Sequence, residues 1–285
     1  DYMISEYKGG LIPNPDVMCN KTIKFGAFLD FAKKNGADYI ATGHYARLKQ
    51  KIPYPYNKLY KKNKISLQKA IDFNKDQTYF LWTLNEKQLK SILFPIGSYK
   101  KPKVRELARK FNLPTASKKD SQGICFVGKV DLKEFLKHFI DEKKGDVLDE
   151  KGVIIGHHDG SVFYTIGQRH GFVVTKKTNK ETPYYVVMKN TKNNTITVSS
   201  IKNNLNFSNN KIKIKKINWI NNNVSYGQKY MSKLWYRGGL QECIISKKDG
   251  DVFLSYEKKQ SVPPGQSIVI YDKNICIGGG IATHS

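Results

Sequence analysis

The stretch Asn20-Lys21-Thr22-Ile23-Lys24-Phe25-Gly26-Ala27-Phe28-Leu29-Asp30-Phe31-Ala32-Lys33-Lys34-Asn35-Gly36-Ala37-Asp38-Tyr39-Ile40-Ala41-Thr42-Gly43-His44 decides the fold. Asn20 is a helix-capping residue type, Ile23, Ala27, Phe28 and Phe31 recur at helical spacing, and Gly36 is a stop signal. Ala37 to Thr42 then reads as a buried strand that runs into Gly43-His44. Helix, strand and glycine turn make one unit of an open α/β sheet. Ligands of such sheets bind at the carboxyl ends of strands. Gly43 and His44 stand at that end, which suits contact with a nucleotide or an RNA; a lone structural histidine is the competing reading.

Working outward, Asn85 with Gln88 forms a capping-box pattern, and Pro102 opens a helix with Val104, Leu107, Ala108 and Phe111, ended before Pro114. Asp131 caps a further helix with Glu134 at the third position. After about residue 145 strands take over. Val162 to Ile166, Tyr184 to Met188 and Thr195 to Ser199 carry strand signals. The last 80 or so residues add Lys211 to Ile220, Lys233 to Arg237, Cys243 to Ser246, Val252 to Tyr256 and Ser267 to Tyr271. Short strands at this spacing, split by Asp249-Gly250 and Pro263-Pro264-Gly265, predict a small barrel. The expected division is an α/β unit over 1–130, a small central unit over 131–204 and a β-barrel over 205–285.

The formal net charge is +25 over 285 residues. Such an excess repels itself unless a polyanion neutralises it, which points to nucleic acid; a Lys- and Asn-rich surface set by base composition is the bland alternative. Between Arg47 and Lys75 the basic residues Arg47, Lys49, Lys51, Lys58, Lys61, Lys62, Lys64 and Lys69 are interleaved with Tyr54, Tyr56, Tyr60 and Phe73. Backbone binding with base stacking needs that mixture. No apolar run approaches the roughly 20 residues of a membrane helix. The chain opens at Asp1, which reads as the interior of a longer protein.

Four cysteines, with no CxxC or CxxH spacing, argue against a disulfide scaffold and a structural zinc. Cys243 and Cys276 lie in apolar alternation and read as core residues. Cys19 and Cys125 differ. Cys19 closes Asn14-Pro15-Asp16-Val17-Met18-Cys19, just before the helix signal. At a helix start its thiolate would be favoured, and Asp16 on the same loop can move a proton or orient a substrate. Cys125 lies in Asp120-Ser121-Gln122-Gly123-Ile124-Cys125-Phe126, near Lys118, Lys119 and Lys129, which favour a thiolate or persulfide. An ordinary capping loop and a buried strand cysteine are the competing readings of the two.

These motifs carry a resemblance. Asn-Pro-Asp-Val-Met-Cys-Asn-Lys from Asn14, Ala-Thr-Gly-His-Tyr-Ala-Arg from Ala41, Lys-Asp-Gln-Thr-Tyr-Phe-Leu from Lys75, Lys-Lys-Asp-Ser-Gln-Gly-Ile-Cys-Phe from Lys118 and Tyr-Thr-Ile-Gly-Gln-Arg from Tyr164 together resemble the tRNA-specific 2-thiouridylases. Trp235-Tyr236-Arg237 and Pro264-Gly265-Gln266 extend the likeness into the tail. The resemblance implies an ATP-pyrophosphatase α/β domain of the adenine-nucleotide alpha-hydrolase type, incomplete here, then a small central domain and a C-terminal β-barrel. It implies ATP and Mg2+, a tRNA substrate, and a persulfide donor protein such as a cysteine desulfurase or relay protein. The product implied is 2-thiouridine at the wobble position of tRNAs for Lys, Glu and Gln. It assigns Cys19 as nucleophile, Cys125 as persulfide carrier and Asn14, Pro15 and Asp16 to the target base. It puts Gly43 on ATP, and His44, Lys75, Asp76, Gln77, Tyr236, Arg237 and Gln266 on tRNA, with no protein-bound metal. A cytoplasmic location in a bacterium is implied, with an organelle matrix as the alternative.

The family's Ser-Gly-Gly-Val-Asp-Ser type phosphate loop occurs nowhere in this sequence. An incomplete ATP site, and a segment inactive in isolation, are therefore expected. Two other readings stay open. A non-catalytic basic RNA-binding module explains the charge but leaves both cysteine motifs idle. An iron–sulfur thiolase needs three or four cysteine ligands, and only two sit in suitable contexts.

Overall fold

The computed structural model describes residues 2–11, 13–50, 65–118, 132–176, 183–200, 208–221 and 224–283. Cys125 with its whole motif, Asp131, and most of the basic tract (51–64) lie outside the described residues.

The chain opens with helix α1 (Tyr2–Lys8) and a second helix that changes pitch along its length. It starts as α2 (Pro15–Met18), continues as a π-helical stretch (Cys19–Ala27) and ends as α3 (Phe28–Lys34). Asn14, not Asn20, caps it: the Asn14 side chain accepts from the Val17 N–H at 3.1 Å, and Pro15 occupies the first turn where no donor is needed. Asn20 is buried inside the helix and donates to the Phe80 carbonyl at 3.4 Å. The inward face is Val17, Phe25 and Leu29, whereas Ile23, Phe28 and Phe31 are exposed. A face counted at 3.6 residues per turn drifts when the turns widen to i→i+5, as in the Phe28 N–H to Ile23 carbonyl bond.

Strand β1 (Ile40–Ala41) follows and pairs in parallel with β4 (Ile92–Leu93). Between them lie the hairpin β2 (Ala46–Gln50) and β3 (Ile65–Lys69), a 3₁₀ turn (Thr78–Phe80) and α4 (Glu86–Leu89), whose Asn85–Gln88 capping box is formed in both directions. Helix α5 (Lys101–Lys110) carries Pro102 at its start, as the sequence predicts.

Helix α6 (Leu132–Lys137) leads into a five-stranded sheet, ordered β7 (Val173–Val174), β6 (Ile154–His158), β5 (Gly145–Leu148), β9 (Thr195–Ser199), β8 (Tyr185–Asn190). The expected strand at Val162 to Ile166 is instead a 3₁₀ turn (Ser161–Phe163) and a loop. There Gln168 ties itself to the Thr165 N–H and the His170 carbonyl. Tyr7 of α1 is buried in this unit's core with Leu136, Val147 and Tyr164.

The last six strands are β10 (Ser208–Trp219), β11 (Lys229–Lys233), β12 (Gln241–Lys248), β13 (Asp251–Ser261), β14 (Ser267–Asp272) and β15 (Ile275–Ala282). They run β10-β13-β12-β11-β14-β15, and β15 returns to β10, which closes the barrel. Its interior holds Ile212, Ile245, Leu254, Ile268 and Cys243. The strand read at Lys233 to Arg237 is misplaced: the strand runs over Lys229–Lys233, and Arg237 takes a positive φ of 64° in the following loop.

The barrel does not stand apart from the first unit. β3 pairs with β15, so the β2–β3 hairpin extends the barrel's sheet. One core joins Phe25, Leu67, Tyr79 and Trp82 to Val269, Tyr271 and Cys276 of the barrel. Cys243 in the barrel interior and Cys276 in this shared core are both buried, as expected, and burial pushes their thiols up to about 11 and about 12.

Candidate active site

A turn and a strand end carry the predicted polar residues. Thr42 closes the β1 end by donating its N–H to the Leu93 carbonyl, and the chain then turns through Gly43-His44 into β2. Two reciprocal bonds fasten this turn to the Lys75–Gln77 segment. The Tyr45 N–H donates to Gln77 Oε1 at 2.9 Å, and the Gln77 N–H donates to the Tyr45 carbonyl at 2.9 Å. Two motifs about 30 residues apart thus form one wall.

The third piece comes from the barrel. Tyr236 packs its ring against Phe80 at 4.4 Å and lies 6.3 Å from Tyr79. Tyr79 donates its hydroxyl hydrogen to the Ser267 carbonyl, next to Gln266. Arg237 lies over the Tyr236 ring at 5.3 Å. A cavity of about 610 Å³ results, into which Gly43, Lys75, Gln77, Tyr236 and Arg237 all face. Helix α5 supplies the opposite wall through Lys101, Val104 and Ala108. No heavy atom lies within 4 Å of where a side chain would begin on Gly43, so the wall is open at that point.

His44 and Asp76 stand behind this surface. His44 is buried, 5.6 Å from the Phe25 ring and 6.0 Å from the Phe94 ring, with Nδ1 2.9 Å from the Thr42 hydroxyl. Desolvation first, and Lys24 second, push its pKa down to about 4, so the imidazole is neutral at pH 7. Asp76 accepts from the Ala70 N–H, from the Thr78 hydroxyl and from Lys233 Nζ at 3.2 Å. Cys19 is buried inside the helix that Asn14 caps and not at its positive end, because the helix begins at Pro15 and not near Asn20. The Asn20 bond to Phe80 ties this helix to the ring that packs on Tyr236. Gly43, Lys75, Gln77, Tyr236 and Arg237 therefore share one cleft, whereas Asn14, Pro15, Asp16 and Cys19 are not among its lining residues.

The sequence did not reveal α5 as a cleft wall. Only the structure shows it: none of its residues is buried, and Val104 and Ala108 border the cavity.

A strand-end turn, a basic cleft and two β-rich units beyond it define an α/β nucleotide-type protein fused to a central barrel-like unit and a terminal β-barrel. Three family descriptions match along the chain: the tRNA methyl transferase HUP domain over residues 1–129, its PRC-barrel domain over 133–200 and an aminomethyltransferase beta-barrel domain over 209–282. The tRNA-specific 2-thiouridylase MnmA of Buchnera aphidicola subsp. Acyrthosiphon pisum is 46% identical over 98% of this chain and 74% of the relative. That of Francisella philomiragia subsp. philomiragia is 40% identical over 99% of this chain and 77% of the relative. The chain belongs to the tRNA-specific 2-thiouridylase family.

Proposed function

We propose that this protein transfers sulfur to the 2-position of the wobble uridine of tRNA, in an ATP-dependent reaction. The observation that carries the reading is the joining of Gly43, Lys75, Gln77, Tyr236 and Arg237 in one cleft, in a chain related to 2-thiouridylases over nearly its whole length. The three working units are 1–130, 131–204 and 205–285.

The 2-oxygen of uracil is a poor leaving group, and adenylation makes it a good one. The oxygen attacks the α-phosphorus of ATP and pyrophosphate departs. Gly43 borders the space a nucleotide would take, and Lys75, Lys101 and Lys118 line the same cleft, a charge that suits its phosphates. No residue of the chain is assigned to a metal; Mg2+ would enter with the phosphates, whose charge it would offset.

Cys125, loaded as a persulfide by a donor protein, delivers its outer sulfur to C2, and AMP leaves with the oxygen. Cys19 thiolate then attacks the Cys125 sulfur; the S–S bond of the persulfide breaks, thiouridine departs and a Cys19–Cys125 disulfide remains for a thiol reductant. In the alternative order, Cys19 first frees hydrosulfide, which attacks C2. Asn14, Pro15 and Asp16 hold the target base, with Asp16 as proton carrier or base positioner. The base must leave its stack to enter, and Tyr236 offers an aromatic face. Lys75 and Gln77, His44 and Asp76 behind them, Tyr236, Arg237 and Gln266 form the RNA-facing surface. The relatives named above are bacterial. We assign its action to the cytoplasm, with an organelle matrix as the alternative. No helix among the described residues is long and apolar enough to cross a membrane.

The test is mass analysis of wobble uridine in cells whose own gene is replaced by a Cys19→Ser allele. We expect 2-thiouridine to fall at least about a hundredfold, as loss of a covalent participant requires. Normal 2-thiolation in those cells overturns the assignment of Cys19, and normal 2-thiolation in a full deletion overturns the function.

A further inference from the structure

We propose that a second cavity, where the first unit meets the barrel, is a socket for one phosphodiester of the RNA backbone, held by Lys69, Lys233 and Lys273. This inference rests on the tRNA-thiolating reading above and says where that substrate's backbone is gripped. The cavity measures about 830 Å³ and shares Lys75 and Arg237 with the cleft, so the two openings are neighbours.

Its charge is unbalanced. Among the described residues Lys69, Lys75, Lys233, Arg237 and Lys273 line it, against one carboxylate, Asp76. That carboxylate is already committed to the Ala70 N–H, the Thr78 hydroxyl and Lys233. The hydrogen bond of Lys69 goes instead to a neutral group, the Lys273 carbonyl, at 3.1 Å. Its ammonium lies 4.5 Å from the centre of the Tyr271 ring. An ammonium carries three donors, and these bonds use one on Lys69 and one on Lys233.

Both lysines are buried, at 5% and 9% exposure, so neither charge is well hydrated. Burial and then the Lys233 charge hold the Lys69 pKa below its ordinary value, with Asp76 and Cys276 acting weakly the other way. Two buried cations sharing one carboxylate are costly, and an entering anion offsets that cost.

The lining says which anion. Phe73, 73% exposed, and Leu240 border the same cavity as the lysines. A phosphate flanked by a flat apolar ring matches a nucleotide unit, whose base or sugar can lie on the ring. The shared wall lets one RNA strand run from this socket into the cleft.

The experiment measures the Kd of unmodified tRNA transcript against KCl concentration for wild type, Lys69→Gln and Lys273→Gln. It is paired with phosphate-ethylation interference. Lys273 is exposed on a turn, so its variant reads the socket even if Lys69→Gln fails to fold. We expect affinity at low salt to fall about threefold to tenfold, and the log–log slope to shrink by about 0.7–0.9, the value of one phosphate contact. One ethylated phosphate should weaken wild type but not the variants. An unchanged slope and interference pattern in Lys273→Gln overturns the socket while leaving the thiolation reading intact. Wild type that binds no tRNA overturns that reading, and the socket with it.

Discussion

His44 shows how a single residue's surroundings set its chemistry. Packed between Phe25 and Phe94, it cannot hydrate a charge, and its pKa of about 4 lies below the unfolded value near 6.5. Between those two values the unfolded chain binds the proton and the folded chain does not. Stability therefore rises with pH across the window and is lost as pH falls from about 6.5 towards 4. Urea melts at pH 7 and pH 4.5 should show wild type losing roughly 2 kcal/mol more than His44→Gln, which cannot titrate. Equal losses in the two proteins would mean that His44 charges without penalty, and the buried setting described above would be wrong. Residue identity alone did not disclose this. The sequence placed His44 at the strand end, where it is, but the rings that bury it come from Phe25 and Phe94, about 20 and 50 positions away. The same holds for Asp76, whose partner Lys233 lies 157 positions along the chain.

At the scale of elements, legibility followed locality. The Asn85–Gln88 box, the Pro102 helix start and the strand Thr195–Ser199 are set by residues within a few positions, and all were readable. The long helix was misread because its pitch changes at Cys19, which no residue type announces. The run Gly278-Gly279-Gly280 is the opposite case. Three glycines in a row are only a weak signal without the strand-then-helix context of a phosphate loop, and here they belong to the barrel's closing stave. Gly278 has φ of +138°, and a Cβ there would lie 2.0 Å from the Asn218 carbonyl oxygen. Asn218 and Trp219 of β10 pair with Gly279 and Gly278 at that closure. Gly278→Ala must therefore push β10 away from β15 or abandon the φ. A loss of about 3 kcal/mol or more is expected in thermal melts, from backbone strain and broken closure together. A melting temperature within a degree or two of wild type would show that the seam is loose rather than shut.

The whole molecule is organised by two facts that no local pattern holds: a charge of +25, and a core that ignores sequence order. The charge was legible and pointed to a polyanion. The core was not, because Leu67 and Trp82 meet Val269 and Tyr271 only after the β2–β3 hairpin joins the barrel's sheet. Asn218 adds bonds of 2.7 and 2.9 Å to the Trp82 and Leu84 carbonyls, and Tyr79 bonds the Ser267 carbonyl. The aromatic wall of the cleft is thus supplied from both ends of the chain, and opening the barrel would dismantle the cleft. A chain ending at residue 204 would expose Tyr79, Leu67 and Trp82, each worth about 1.5–3 kcal/mol of burial, and would leave Asp76 without Lys233. That deficit is comparable with the whole stability of an ordinary domain. We expect the 1–204 chain to lose amide protection around Leu67 and Tyr79 while keeping it around Val147 and Ile196, whose core lies wholly within that chain. Wild-type protection at Leu67 and Tyr79 would instead mean that the first unit carries its own core, with the barrel only leaning on it.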